Sequence, residues 1–166
     1  ITALDLSANT KLTSLNAQNM KLTEIDLSQN TALTTIYLSN NNLTNIDLSK
    51  NTELKSLYLL NAGLTSIDLS NNDKLTYASL NGNQLTTLDV TGCDALESLF
   101  CMSNQLTSLY ADNVTKSVNC SKNNFTLATL PALPCKTYTY APQNAMPVAE
   151  SIAVGEALDL SAQNNI

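Results

Sequence analysis

Residues 22–42 read LTEIDLSQNTALTTIYLSNNN. The stretch returns with changes as LTNIDLSKNTELKSLYLLNAG (43–63), LTSIDLSNNDKLTYASLNGNQ (64–84) and LTTLDVTGCDALESLFCMSNQ (85–105). The opening leucines Leu22, Leu43, Leu64, Leu85 and Leu106 stand 21 residues apart without a slip. A fixed period of this size marks a solenoid, in which each unit buries its apolar face only by stacking on its neighbours. Every unit divides into an 11-residue half and a 10-residue half, each opening on its own L-x-x-L-x-L. Counted from that first leucine, places four and six point one way across a single outward residue, the period-two alternation of a strand.

The two halves differ in what they hold outward. Place five of the first half is Asp5, Asp26, Asp47, Asp68 and Asp89, followed two residues on by Ser7, Ser28, Ser49, Ser70 and Thr91. Asx and Ser/Thr side chains satisfy nearby backbone groups in turns, so this column is repeated turn chemistry. Place five of the second half is Asn16, Tyr37, Tyr58, Ser79, Phe100 and Asn119, and aromatic residues suit a pleated sheet. The second half is therefore the concave strand and the first half the convex return. Asparagine fills place nine of many halves: Asn9, Asn30, Asn51 and Asn72 in the first, Asn41, Asn83, Asn104 and Asn123 in the second. Buried there, its amide can bond free backbone groups of its own and the adjacent coil. The expected fold is mainly β, a short right-handed arc of about six 21-residue coils with a concave parallel sheet and few or no helices.

Composition narrows the function. Acidic groups number 14 against 8 basic, giving a net charge of −6, a balance that repels phosphate backbones and argues against nucleic-acid binding. Histidine is absent, which removes the commonest general base and metal ligand at neutral pH. No apolar run approaches the roughly 18 residues that a membrane span needs. Cys93, Cys101, Cys120 and Cys135 include no C-x-x-C pair, so zinc and thioredoxin-like readings fail. Cys101 and Cys120 sit at place six, where other turns carry leucine. They read as small buried thiols, with a disulfide between neighbouring turns as the alternative.

After Gln105 the pattern loosens. LTSLYADNV opens a sixth unit, and TKSVNCSKNN follows two residues early. FTLATLPALPC, with Leu127, Leu130 and Leu133 as core candidates and Pro131 and Pro134 as breakers, reads as a closing half-coil. The expected organisation is a solenoid over 1–134 and a C-terminal strand or linker segment over 135–166. In that segment the alternating tyrosines of KTYTY suggest an edge strand. ESIAVGEALDL is apolar on one side at Ile152, Val154, Leu158 and Leu160, and reads as the first strand of a following domain.

The L-x-x-L-x-L-x-x-N pattern resembles the leucine-rich repeat family. The alternation of LTxLDLSxNTx with LTxLxCxxNx is similar to the 21-residue repeats of its internalin-J-like subgroup and of secreted repeat proteins of gut Bacteroidetes. The resemblance covers residues 1 to about 140. It implies export, a place at or beyond the bacterial surface, and binding of host or neighbouring molecules. In the subgroup the cysteine place forms a continuous ladder. Here Ala17, Leu38, Leu59 and Leu80 fill it ahead of Cys101 and Cys120, so no thiol ladder is implied.

The candidate site is the outward face of the second-half strands. Tyr37, Tyr58 and Phe100 share a column, Tyr77 lies two places before Ser79, and Leu60 and Met102 lie two places after the column. Together they make a contiguous apolar patch, which on a soluble protein marks an interaction site. Aromatic and Met enrichment points to a protein partner ahead of a polysaccharide, and no Trp offers a sugar platform. The rival readings are a structural spacer, in which the tyrosines serve only as good sheet formers, and a glycan-binding face. No enzyme activity, metal or cofactor is expected. The Asp column is explained by backbone capping, and no D-x-D-x-D-G loop signals calcium. Only Glu97 stands plainly as a concave-face carboxylate, where a glycosidase needs two.

Overall fold

The computed structural model describes residues 3–144. Each second half contributes three residues of strand, at places three to five: β1 Ser14–Asn16, β2 Thr35–Tyr37, β3 Ser56–Tyr58, β4 Tyr77–Ser79, β6 Ser98–Phe100, β8 Ser117–Asn119 and β9 Thr137–Thr139. Two first halves add β5 Thr87–Asp89 and β7 Ser108–Tyr110. The second-half strands form one seven-stranded parallel sheet, β1-β2-β3-β4-β6-β8-β9, while β5 and β7 pair with each other on the returning side. Place pairs with place from coil to coil, as in Leu15↔Ile36 and Leu57↔Ala78. No helix occurs among the described residues.

The strands stop after place five because the chain turns at place eight. There Asn19, Asn40, Asn61, Ser103 and Lys122 adopt φ of 59°, 58°, 50°, 57° and 55°, and Gly82 adopts 69°. This left-handed conformation costs most residues roughly 1–2 kcal/mol, and Asn and Gly bear it best. Asn40 donates its amide to Asn19 Oδ1 at 3.0 Å and Asn61 donates to Asn40 at 3.4 Å. At the next coil a Cβ on Gly82 would lie 2.0 Å from Asn61 Oδ1, so any other residue there requires the Asn61 amide to move aside.

The core is the ladder of places one, four and six. Leu33, Leu54 and Leu75 stack in one column, Leu38, Leu59 and Leu80 in another, all fully buried, and Leu22, Leu43 and Leu64 line the returning half. Burying each such side chain contributes about 1.5–3 kcal/mol, before the entropy cost of ordering the chain. Cys101 and Cys120 continue the place-six column as buried free thiols.

The two asparagine columns bond differently. Asn83 donates to Leu59 O at 2.8 Å and Leu80 O at 2.9 Å, and its Oδ1 accepts from the N–H groups of Ala62, Gly63 and Leu64. Asn41, Asn104 and Asn123 repeat the pattern of two donations and at least one acceptance. Where Ala62 takes the asparagine place, its backbone carbonyl accepts from Leu43 N at 2.6 Å instead. In the first halves, Asn30, Asn51 and Asn72 each donate to two carbonyls of the preceding coil, but their buried Oδ1 atoms have no partner. Cys93 occupies the next place in that column and offers only a thiol to Leu69 O at 3.5 Å. Asn113, one residue early, restores the pair of donations to Val90 O and Cys93 O.

The closing end differs in detail from expectation. Leu130 and Leu133 pack against the core, but Leu127 is 48% exposed. The buried plug is Phe125, because the turn at Thr126–Thr129 throws Leu127 outward. The sheet also crosses the expected boundary at 134: β9 pairs in parallel with β8 as its edge strand. The inward side chain of β9 is Tyr138, whose hydroxyl donates to Pro131 O at 2.8 Å. The expected strand with Ile152, Val154, Leu158 and Leu160 lies outside the described residues.

Candidate functional site

On the sheet face, places three, five and seven run side by side from coil to coil. The place-three column is Ser14, Thr35, Ser56, Tyr77, Ser98 and Ser117. Place five is Asn16, Tyr37, Tyr58, Ser79, Phe100 and Asn119, and place seven is Gln18, Ser39, Leu60, Asn81, Met102 and Ser121. None of these described positions carries a carboxylate, ammonium or guanidinium group, in a chain whose net charge is −6. The carboxylate column lies on the returning half instead.

All four aromatic rings singled out from the sequence meet. Tyr37 and Tyr58 stack with centroids 4.6 Å apart and planes 15° from parallel. Tyr58 and Tyr77 follow at 5.0 Å, and Tyr77 and Phe100 at 5.5 Å. Tyr77 stands at place three, opposite Ser56, so the ladder closes only because its ring leans across β4. The strands β3 and β6 are two sheet spacings apart, about 9.6 Å. A ring 5.0 Å from one partner and 5.5 Å from the other lies close to the line joining them. Ser79, beneath that line at place five, is accordingly only 8% exposed.

Only the first pair is stacked; the planes of Tyr58 and Tyr77 are tilted by 31° and those of Tyr77 and Phe100 by 39°. Such stacked and tilted contacts are worth about 0.5–1.5 kcal/mol per pair beyond area burial. Partial burial, and then its ring neighbours Tyr37 and Tyr77, raise the Tyr58 phenol above its ordinary 10.0. Leu60, 39% exposed, and the half-buried Met102 flank the ladder on the place-seven side. Each is held by its backbone: Leu60 N donates to Ser39 Oγ and Met102 N to Asn81 Oδ1. The structure thus brings together Tyr37, Tyr58, Tyr77 and Phe100 as one row, with Leu60 and Met102 beside it.

Place two forms a rim where each strand begins, with Lys55, Glu97, Lys116 and Lys136 among its members. Glu97 is paired with Lys116 at 2.5 Å. On the returning half, Oδ1 of Asp5, Asp26, Asp47, Asp68 and Asp89 accepts from the backbone N–H two residues on, at 2.8–2.9 Å. Those N–H groups, and then the Ser or Thr hydroxyls, hold the carboxyls below their ordinary value of 3.8. Among the described residues no group of three or more His, Cys, Asp or Glu is placed to hold a metal ion. No helix there is long and apolar enough to cross a membrane.

No protein-family model and no curated protein matches the chain. Solved structures do. The functional domain of InlJ from Listeria monocytogenes, described as including a cysteine ladder, is 31% identical with a TM-score of 0.74, over 84% of this chain and 32% of that one. YopM, a leucine-rich effector protein from Yersinia pestis, is 20% identical with a TM-score of 0.50, over 86% of this chain and 49% of its own. The chain therefore spans about a third of the length of the InlJ structure. At the place of a cysteine column this chain has Ala17 and leucines, with thiols only at Cys101 and Cys120. Repeat period, place-by-place stacking and this likeness converge: the chain belongs to the leucine-rich repeat proteins.

Proposed function

We propose that the chain is a non-catalytic binding module of an exported bacterial protein, and that its concave sheet contacts a protein at a host or neighbouring-cell surface. The single observation that carries this reading is the four-ring ladder set in an uncharged face. Rigid tyrosines surrounded by Ser and Asn give large amphipathic contact area at low entropy cost, a composition shared with antibody paratopes. Charge is also depleted at the centres of protein interfaces. Contact residues on this reading are Tyr37, Tyr58, Leu60, Tyr77, Phe100 and Met102. A polysaccharide would stack on ring faces, and the Tyr37–Tyr58 stack turns two of those faces on each other. The resemblance of the repeats to those of exported bacterial leucine-rich repeat proteins supports placement at or beyond the bacterial surface.

The test is binding of the purified chain to arrayed mucosal and bacterial-surface proteins and polysaccharides, beside a variant with Tyr37, Tyr58, Tyr77 and Phe100 changed to Ser. The expected result is a protein hit that the variant loses while remaining folded. No hit with either protein would favour a structural spacer. A polysaccharide hit retained by the variant would remove the ladder from the site.

A further inference from the structure

We infer that the element this face recognises is an amphipathic α-helix lying along the solenoid axis, across the strands, with one uncharged apolar side chain per turn facing the rings. The inference rests on the reading of the sheet face as a protein-binding surface and specifies its partner. Successive ring centroids lie 4.6, 5.0 and 5.5 Å apart. An α-helix advances about 5.4 Å per turn, so a helix along the ladder sets one side chain per turn against successive rings and stays nearly in step. Three turns, about eleven residues, cover the four rings. A strand laid in the same direction repeats its facing side chains every ~6.6–6.8 Å and is out of step by the third ring. Helices commonly seat apolar anchors at i, i+4 and i+7 in such surfaces.

Charge fixes the rest of the partner. Places three, five and seven are uncharged, so the stripe that covers them is uncharged too, since a charge buried there would go unpaired. The two flanks are unlike. Beside the ladder the place-two rim is Thr34, Lys55, Thr76 and Glu97, and Glu97 is already engaged with Lys116 of the next coil. The place-eight rim beside the ladder is Asn40, Asn61, Gly82 and Ser103, without charge. A complementary helix therefore carries an acidic residue opposite Lys55 on the flank above place two and neutral polar residues on the other. That asymmetry sets its rotation about its own axis.

The experiment selects binders to this chain from two displayed libraries of equal diversity. One is a helical-bundle scaffold randomised on a single face, the other consists of linear proline-spaced peptides. Binders from the helical library are expected, with an apolar residue once per turn and an acidic residue placed to meet Lys55. Tyr58→Ser should weaken them about tenfold or more, as loss of a central anchor does. Tyr58→Phe, which keeps the ring, should retain them, and Lys55→Glu should weaken them while the fold, checked by circular dichroism, is unchanged. Enrichment from the linear library alone, or helical binders indifferent to Tyr58→Ser, would overturn the inference. If array binding depends on the rings but no helical binder emerges, the helix falls and the sheet-face reading stands. If array binding survives loss of the rings, both fall.

Discussion

Replacing Asn83 with alanine should destabilise the solenoid far more than the same change at Asn51, although both are buried asparagines at place nine. Asn83 makes five bonds to backbone groups at 2.8–3.1 Å, two through its amide nitrogen and three through its oxygen. Each is worth about 0.5–1.5 kcal/mol net, and a stranded buried group costs about 1–3 kcal/mol. The turn at Gly63 is half-buried, so water can reach some of the stranded groups. About 4 kcal/mol is a reasonable total for Asn83→Ala on that basis. Asn51 loses only its bonds to Leu27 O and Asn30 O, and its removal also deletes a buried oxygen that has no partner. The two effects oppose, leaving about 1 kcal/mol. Urea unfolding followed by circular dichroism reads both: with a slope near 2 kcal/mol/M, midpoints fall by about 2 M and about 0.5 M respectively. Equal shifts, or a larger one for Asn51, would refute the assignment of unequal work to the two columns.

Other expectations follow from the turns and titratable groups. Gly82→Ala should lower the thermal midpoint and Ser103→Gly raise it, each by about 1 kcal/mol of stability, since both sit at left-handed φ and only the first change adds a Cβ against Asn61. The five place-five aspartates are held below 3.8, so their contribution is complete above that ordinary value and is lost as pH falls through their lowered folded values. Urea midpoints measured from pH 5 down to pH 3 should therefore fall, and Asp47→Asn, which keeps the turn acceptor, should flatten part of that slope. Burial pushes the Cys93 and Cys120 thiols up to about 11 and Cys101 well above its usual range. A disulfide-exchange reagent at pH 8 should thus modify Cys135 first, and Cys135→Ser should abolish the fast phase while the other thiols react only on unfolding.

How much of this is legible in the sequence follows from where the repeat is regular. The 21-residue period, the two halves, the turn role of the Asp column and the strand role of the second halves are all written in place-by-place recurrence. Each matches the structure. Where coils shorten, recurrence fails. Strand starts at 98, 117 and 137 are no longer 21 apart, so β9 stacks beyond the boundary at 134, and Asn113 fills an asparagine slot one residue early. Leu127 looks like core by composition, and only the local turn shows that Phe125 takes that role. The left-handed column at place eight did leave a signal, in Asn19, Asn40, Asn61 and Gly82, the residue types that tolerate positive φ. The leaning of Tyr77 over Ser79 left none. It depends on the small Ser79 and on ring reach between strands, which no one-dimensional pattern records.

The most direct measurement of the central claim is hydroxyl-radical footprinting of the chain bound to a protein hit from the array. Tyr110 serves as an internal reference, because it is 56% exposed and stands on β7, on the returning side of the coil. The account predicts protection of Tyr37, Tyr58, Tyr77, Phe100 and Met102 with Tyr110 oxidised at its free rate. Protection of Tyr110 with the ladder unchanged would place the partner on the other face and contradict it.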